Sequence, residues 1–173
     1  MSNLIDPNTT SAKEPSTPEV SKPPSAGLID VRGPRFGAAV TTVVLAIALV
    51  GVGTPIGAVA IGFQTVVFAL GAIVGLQAQP YGVIFRRVVR PRLQPPTVWE
   101  DPNPPRFAQA VGLVFALVAD LGLLVGVTPL AVIAIAAALA AAFLNAAFAF
   151  CLGCEVFLIA KRLTTPRTSV LNS

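Results

Sequence analysis

Residues 79–107 read QPYGVIFRRVVRPRLQPPTVWEDPNPPRF, and this stretch decides the fold. Four arginines, Arg86, Arg87, Arg90 and Arg92, fall within seven positions, and a proline-rich run follows them to Arg106. Long apolar blocks lie on either side, the first without a charged side chain and the second interrupted only by Asp120. A charged, proline-broken segment between such blocks reads as the hinge joining two membrane hairpins, and its charge marks the side of the bilayer it faces.

Composition agrees with that reading. The 173 residues are 54% hydrophobic and 12% charged, with a mean hydropathy of +0.78 and no histidine, well outside soluble globular usage. The net charge of +4 comes from basic residues placed beside the apolar blocks, a topology signal and not the footprint of a nucleic-acid binder. Two cysteines do not make a disulfide scaffold, so stability must come from helices packing in lipid.

Working outward from the hinge, residues 36–85 carry no charged side chain. A crossing needs about 20 residues at about 1.5 Å each, so this block holds two crossings and a turn at Gly51-Val52-Gly53-Thr54-Pro55. The predicted spans are 36–52 and 55–77, with Gly71 and Gly75 on one face of the second, where they favour close helix packing. Beyond the hinge the plan recurs, with spans predicted at 106–126 and 129–150 around a Gly126-Val127-Thr128-Pro129 turn. The expected fold is therefore an all-α integral membrane protein with four transmembrane helices. Its parts are a polar tail (1–28), a first hairpin (29–90), an extended proline strap (91–105), a second hairpin (106–162) and a short tail (163–173). The first tail is rich in Ser, Thr, Pro and Lys, lacks a signal-peptide core and is expected to be disordered.

The two hairpins share residues at consistent offsets. Asp30, Pro34-Arg35-Phe36 and Val40 align with Asp101, Pro105-Arg106-Phe107 and Val111, and Thr54-Pro55 with Thr128-Pro129. An internal duplication explains this, with both copies entering the bilayer from one side as parallel repeats. The 12 Lys and Arg lie towards the two chain ends or around the central segment, and none lies in either hairpin turn. The positive-inside bias then puts both termini and the centre in the cytoplasm of a multi-pass protein of the inner (plasma) membrane. Arg86, Arg87, Arg90 and Arg92 are expected on an extension of the second helix, contacting anionic lipid headgroups, with Trp99 at interface depth.

The run Asp101-Pro102-Asn103-Pro104-Pro105-Arg106-Phe107-Ala108-Gln109, the Pro80-Tyr81-Gly82 and Arg90-Pro91-Arg92 elements and Phe150-Cys151-Leu152-Gly153-Cys154-Glu155 resemble a bacterial family known as domain of unknown function 4395, common in actinobacteria. The resemblance covers residues 29–162. It implies four membrane helices and a recurring C-x-G-C element, and through gene association a thioredoxin-like or sulfurtransferase partner.

Chemistry concentrates at Cys151 and Cys154, three apart and able to meet on one helix face. The residues alone leave three readings open: a thiol-redox or sulfur relay with a soluble partner, a thiolate metal site, or inert small membrane residues. Placed at the carboxyl end of the fourth span and followed by Glu155, the pair would sit where a thiolate is disfavoured, and a reducing cytoplasm would keep it as a dithiol. Arginines folding over it from the centre would restore thiolate character. With no histidine, two thiolates and Glu155 do not complete a zinc site unless a second copy of the chain contributes, so no metal or cofactor is expected and self-association stays open. Asp120 is the one ionisable residue deep in a span, with Asn145 and Gln64 as candidate partners. With Asn145 it supports the rival reading, a non-catalytic scaffold or small permeation or proton-relay protein.

Overall fold

Each apolar block folds back on itself through a turn of three or four residues, and the sequence shows why the helices start where they do. In the computed structural model, which describes residues 27–96 and 98–164, the order is β1 (Ile29–Asp30), α1 (Arg32–Val50), α2 (Pro55–Ile73), α3 (Pro80–Ile84), β2 (Trp99–Glu100), α4 (Asn103–Leu124), α5 (Thr128–Phe148) and α6 (Leu152–Thr164). Asp30 accepts from the Arg32 backbone N–H at 3.0 Å, and Asp101 accepts from that of Asn103 at 2.8 Å. The same aspartate turn thus opens α1 and α4. Thr54 does the equivalent work for α2, accepting from the Gly57 N–H at 3.3 Å with Pro55 in the first turn.

Four of the six helices, α1, α2, α4 and α5, are long and apolar enough to cross a membrane. They form a closed up-down-up-down ring in which α1 packs on α2 and α5, and α4 on the same two. The interior is lined by alanines, larger aliphatic side chains and one aromatic ring: Leu45, Ala48, Ile61, Phe68, Ala116, Ala119, Ala134 and Ile135. The outward faces carry bare Val50, Ile56, Val59, Ile73, Leu121 and Leu124. An outer surface of large bare apolar side chains over alanine-rich helix contacts is what lipid, unlike water, permits.

Gln64, inside the ring, is paired on both sides, while the buried Gln79 Oε1 has no partner among the described residues. Gln64 is fully buried, donates to the Thr41 hydroxyl at 3.4 Å and accepts from the Tyr81 hydroxyl at 2.9 Å. Burial pushes the Tyr81 phenol up to about 12, so it remains a neutral donor.

Several local expectations change. Helix α2 stops at Ile73, short of residue 77, because Gly75 takes a φ of +124° and turns the chain. Gly71 and Gly75 therefore do not share a packing face: Gly71 is buried, and a Cβ there would lie 2.9 Å from the side chains of Gln79 and Gln109, while Gly75 has nothing within 4 Å. The arginines are not on an extension of the second helix. They lie on a separate helical segment that begins at Pro80 and continues past α3 as a π turn (Phe85–Val89) and a 3-10 turn (Arg90–Arg92). The extended strap is also shorter than expected, since Pro104 and Pro105 sit in the first turn of α4, where a missing N–H costs nothing. The expected disorder of residues 1–28 and the short tail fall almost wholly outside the described residues.

One end of the bundle is knitted together. β1 and β2 pair antiparallel, Ile29 with Glu100 and Asp30 with Trp99. Arg32 pairs with Asp30 at 2.8 Å and donates to the Gln94 carbonyl at 3.1 Å, tying the start of α1 to the strap. Arg106 donates to the carbonyls of Ala72 and Ile73, the open end of α2, at 3.2 and 3.0 Å. Arg35 reaches the Ala146 carbonyl near the end of α5 at 3.5 Å. Each P-R-F arginine thus meets a helix end in the other hairpin, where carbonyls lack partners and the dipole is negative.

A thiol site at the amino end of helix six

Helix α5 ends at Phe148 with Ala149 in the left-handed region, φ 55°, and the chain restarts as α6 from Leu152. Cys151 therefore stands immediately before a new helix and Cys154 in its first turn. This overturns the expectation that the pair lies at a helix carboxyl end. With its 21 residues α5 already has the length a crossing needs, so the cysteines fall to the next element.

The geometry is that of a sulfur helix cap. Cys151 and Cys154 stand at disulfide-bonding distance, with Cα atoms 5.2 Å apart. The Cys154 backbone N–H donates to the Cys151 sulfur at 3.2 Å, and the Glu155 N–H to the Cys151 carbonyl at 3.0 Å. On reduction, the amide aimed at Cys151 and the positive end of the α6 dipole favour negative charge on that sulfur. The two residues are unequal in exposure: Cys151 is partly exposed and Cys154 is buried.

Gly153 makes this placement possible. A Cβ on it would fall 2.6 Å from both Cα and Cβ of Ala108, so only glycine lets the start of α6 lie against α4. Further along, Phe157 packs on Phe107 with ring centroids 5.7 Å apart. Gly153 is thus a point at which α6 touches α4.

The disulfide looks onto a cleft of about 690 Å³ between α1, α4, α5 and α6. Its walls are mostly apolar, and Arg35, Thr41, Glu100, Gln109 and Asn145 supply the polar groups. Arg35 does not stand out in the sequence as a site residue, yet it is the cationic side chain that shares the cleft with the sulfurs. Its recurrence in the P-R-F motif was the available signal.

A family model, domain of unknown function (DUF4395), matches residues 29–162. The chain belongs to that family. The match takes in all four long helices, the strap and the whole C-x-G-C element, so the thiol site lies inside the DUF4395 region. No curated protein and no solved structure matches the chain.

The other candidate residues divide. Asp120 accepts from the Thr65 hydroxyl of α2 at 2.7 Å, and neither Asn145 nor Gln64 is its partner. The Ile61 carbonyl, 3.0 Å from the same hydroxyl, competes for its single proton, as the i−4 carbonyl does for helical threonines. Asn145 belongs instead to the cleft, which it lines with the cysteines. Three of the four clustered arginines are engaged by the chain itself. Arg86 donates to Gln77, Arg92 to the Val88 carbonyl, and Arg90 lies over the Trp99 ring at 5.9 Å. Arg87 is exposed, with no partner among the described residues. Among the described residues there is no cluster of three metal-ligating side chains.

Proposed function

We propose that this protein is a membrane thiol–disulfide exchange protein in which Cys151 attacks and Cys154 resolves. The observation that carries this is the sulfur cap: a partly exposed Cys151 holding an N–H bond at a helix amino end, with a buried Cys154 one turn on. The Cys151 thiolate attacks one sulfur of a partner disulfide, an S–S bond forms, and the other partner sulfur leaves as a thiolate. Cys154 then attacks Cys151, releasing the reduced partner and leaving the intramolecular disulfide, two electrons having passed to the partner. The reverse sequence oxidises a partner dithiol. The partner class is the one the family resemblance implies, a soluble thioredoxin-like protein or a sulfurtransferase.

The test is trapping. Cys154→Ser leaves an attacking sulfur without its resolver and is expected to accumulate a mixed disulfide that reductant releases. If Cys154→Ser accumulates none while Cys151→Ser does, the roles are reversed, and if neither does, the exchange reading fails.

The placement in the membrane belongs to the same proposal. The basic residues at the starts of α1 and α4, on the hinge and on α6 share one end of the bundle, which supports cytoplasmic termini and anionic headgroups around Arg87. Helix α6, with 13 residues, is too short to cross and carries exposed Val156, Ile159 and Leu163 beside Lys161 and Arg162, as an interfacial helix does. The matched aspartate turns and reciprocal Arg35 and Arg106 contacts support a duplicated hairpin. The scaffold or proton-relay alternative is less well served, since Thr65 gives Asp120 a register-fixing partner and Asn145 sits with the sulfurs.

A further inference from the structure

The cleft under the disulfide is deeper than docking of a soluble protein requires. Along α5 it runs from Asn145 to Ala137 and along α4 from Pro105 to Phe115, about 12 to 15 Å by helical rise, or about half the hydrocarbon thickness. A volume of about 690 Å³ falls within the range that holds a small organic ligand. Its deep walls, Phe68, Phe115, Ala138 and Ala141, are aromatic or small, and its polar groups are few.

We propose that this cleft binds the headgroup of a lipid-soluble quinone, which exchanges two electrons with the Cys151–Cys154 pair. The inference rests on the thiol-exchange reading and names its membrane-side co-substrate. Three observations select this chemistry over an acyl chain: a redox-active pair at the mouth, apolar and aromatic walls at bilayer depth, and the donors Arg35, Gln109 and Asn145 available to ring carbonyls. A disulfide facing a reducing compartment needs an oxidant to re-form, and a path into the bilayer gives it one. The reaction balances: two S–H bonds break, the S–S bond forms, and two electrons and two protons pass to the two quinone oxygens, giving the hydroquinone.

The experiment uses the purified full chain in detergent, reduced, freed of reductant and held without oxygen. A short-chain benzoquinone with every ring position substituted is added, so that thiols cannot add to the ring, and hydroquinone absorbance is followed with free-thiol loss. One hydroquinone per disulfide formed is expected, with none from a Cys151→Ser, Cys154→Ser double variant. Ala141→Phe, which fills the cleft, is expected to slow quinone oxidation at least tenfold while oxidation by diamide, a small soluble reagent, is unchanged. Ala138→Phe repeats the test if Ala141→Phe does not fold. Diamide oxidation without quinone oxidation, or cleft-filled variants as fast as the native chain, would overturn the quinone proposal and leave the thiol reading standing. Failure of diamide to close the disulfide would sink both.

Discussion

Gly153 of α6 lies against Ala108 of α4 so closely that an added methyl would come within 2.6 Å of the Ala108 backbone. The contact is with backbone, which cannot swing aside. Gly153→Ala is therefore expected to push the amino end of α6 off α4, costing about 1–3 kcal/mol by overpacking. Thermal unfolding in detergent measures the loss, and Cys154, buried in the native chain, should become readily alkylated after reduction. Native stability with a protected Cys154 would contradict the contact.

The pairing of Thr65 with Asp120 at 2.7 Å makes a prediction that separates structure from transport. Thr65→Val removes the hydroxyl and leaves the carboxyl without that donor, at a cost of about 0.5–2 kcal/mol for a bond within a membrane bundle. In a double-mutant cycle with Asp120→Leu, which removes the acceptor, the two losses should not add. Full additivity would mean the groups do not interact.

The strap should make stability depend on pH. Burial works to raise the Asp30 carboxyl, but the Arg32 hydrogen bonds and the charges of Arg32 and Arg90 outweigh it and hold it below its ordinary value of 3.8. A depressed folded-state value means stabilisation that is full above about pH 4 and is lost as pH falls through the folded value. Asp30→Asn is expected to cost about 1–2 kcal/mol at pH 7, the worth of a hydrogen bond to a charged group, and nothing once the native carboxyl is protonated. Glu100 runs the other way. Burial first, then the neighbouring Asp101 charge, raise it above 4.5, so its ionisation weakens the fold as pH rises through the raised value. Glu100→Gln should remove that decline. Unfolding curves across pH 3–7 for the three chains check both signs.

Arg106 and Arg35 serve the two hairpins reciprocally, but not equally, with bonds at 3.0 and 3.2 Å against one at 3.5 Å. Arg106→Met should therefore cost more than Arg35→Met, about 1 kcal/mol against a few tenths, since a cation near a helix carboxyl end contributes on that scale. Arg35 has the second duty of lining the cleft, so its variant should slow thiol chemistry while Arg106→Met leaves it unchanged.

Much of this fold was legible because membrane helices announce themselves by length and charge exclusion. The uncharged run 36–85 and the Thr54-Pro55 turn permit little else. The ends of elements were harder to read. Pro104 and Pro105 look like strap and prove to be a first helical turn, because proline is forbidden in a helix interior and welcome at its start. At the candidate site the sulfur pair was visible but its setting was not. A left-handed Ala149 is invisible to periodicity, and that one residue moves Cys151 from the negative end of α5 to the positive end of α6. Partners of Asp120 were unreadable for a different reason: which helix faces it depends on ring order, and the sequence carries no direct mark of that order.

Inequality of the two sulfurs is the property on which thiol exchange at this site depends. The direct measurement is the rate at which each is alkylated in the reduced native chain, followed by mass spectrometry over a time course at pH 7. Cys151, partly exposed at the start of α6, is expected to react at least tenfold faster than Cys154. Equal rates, or a faster Cys154, would contradict it.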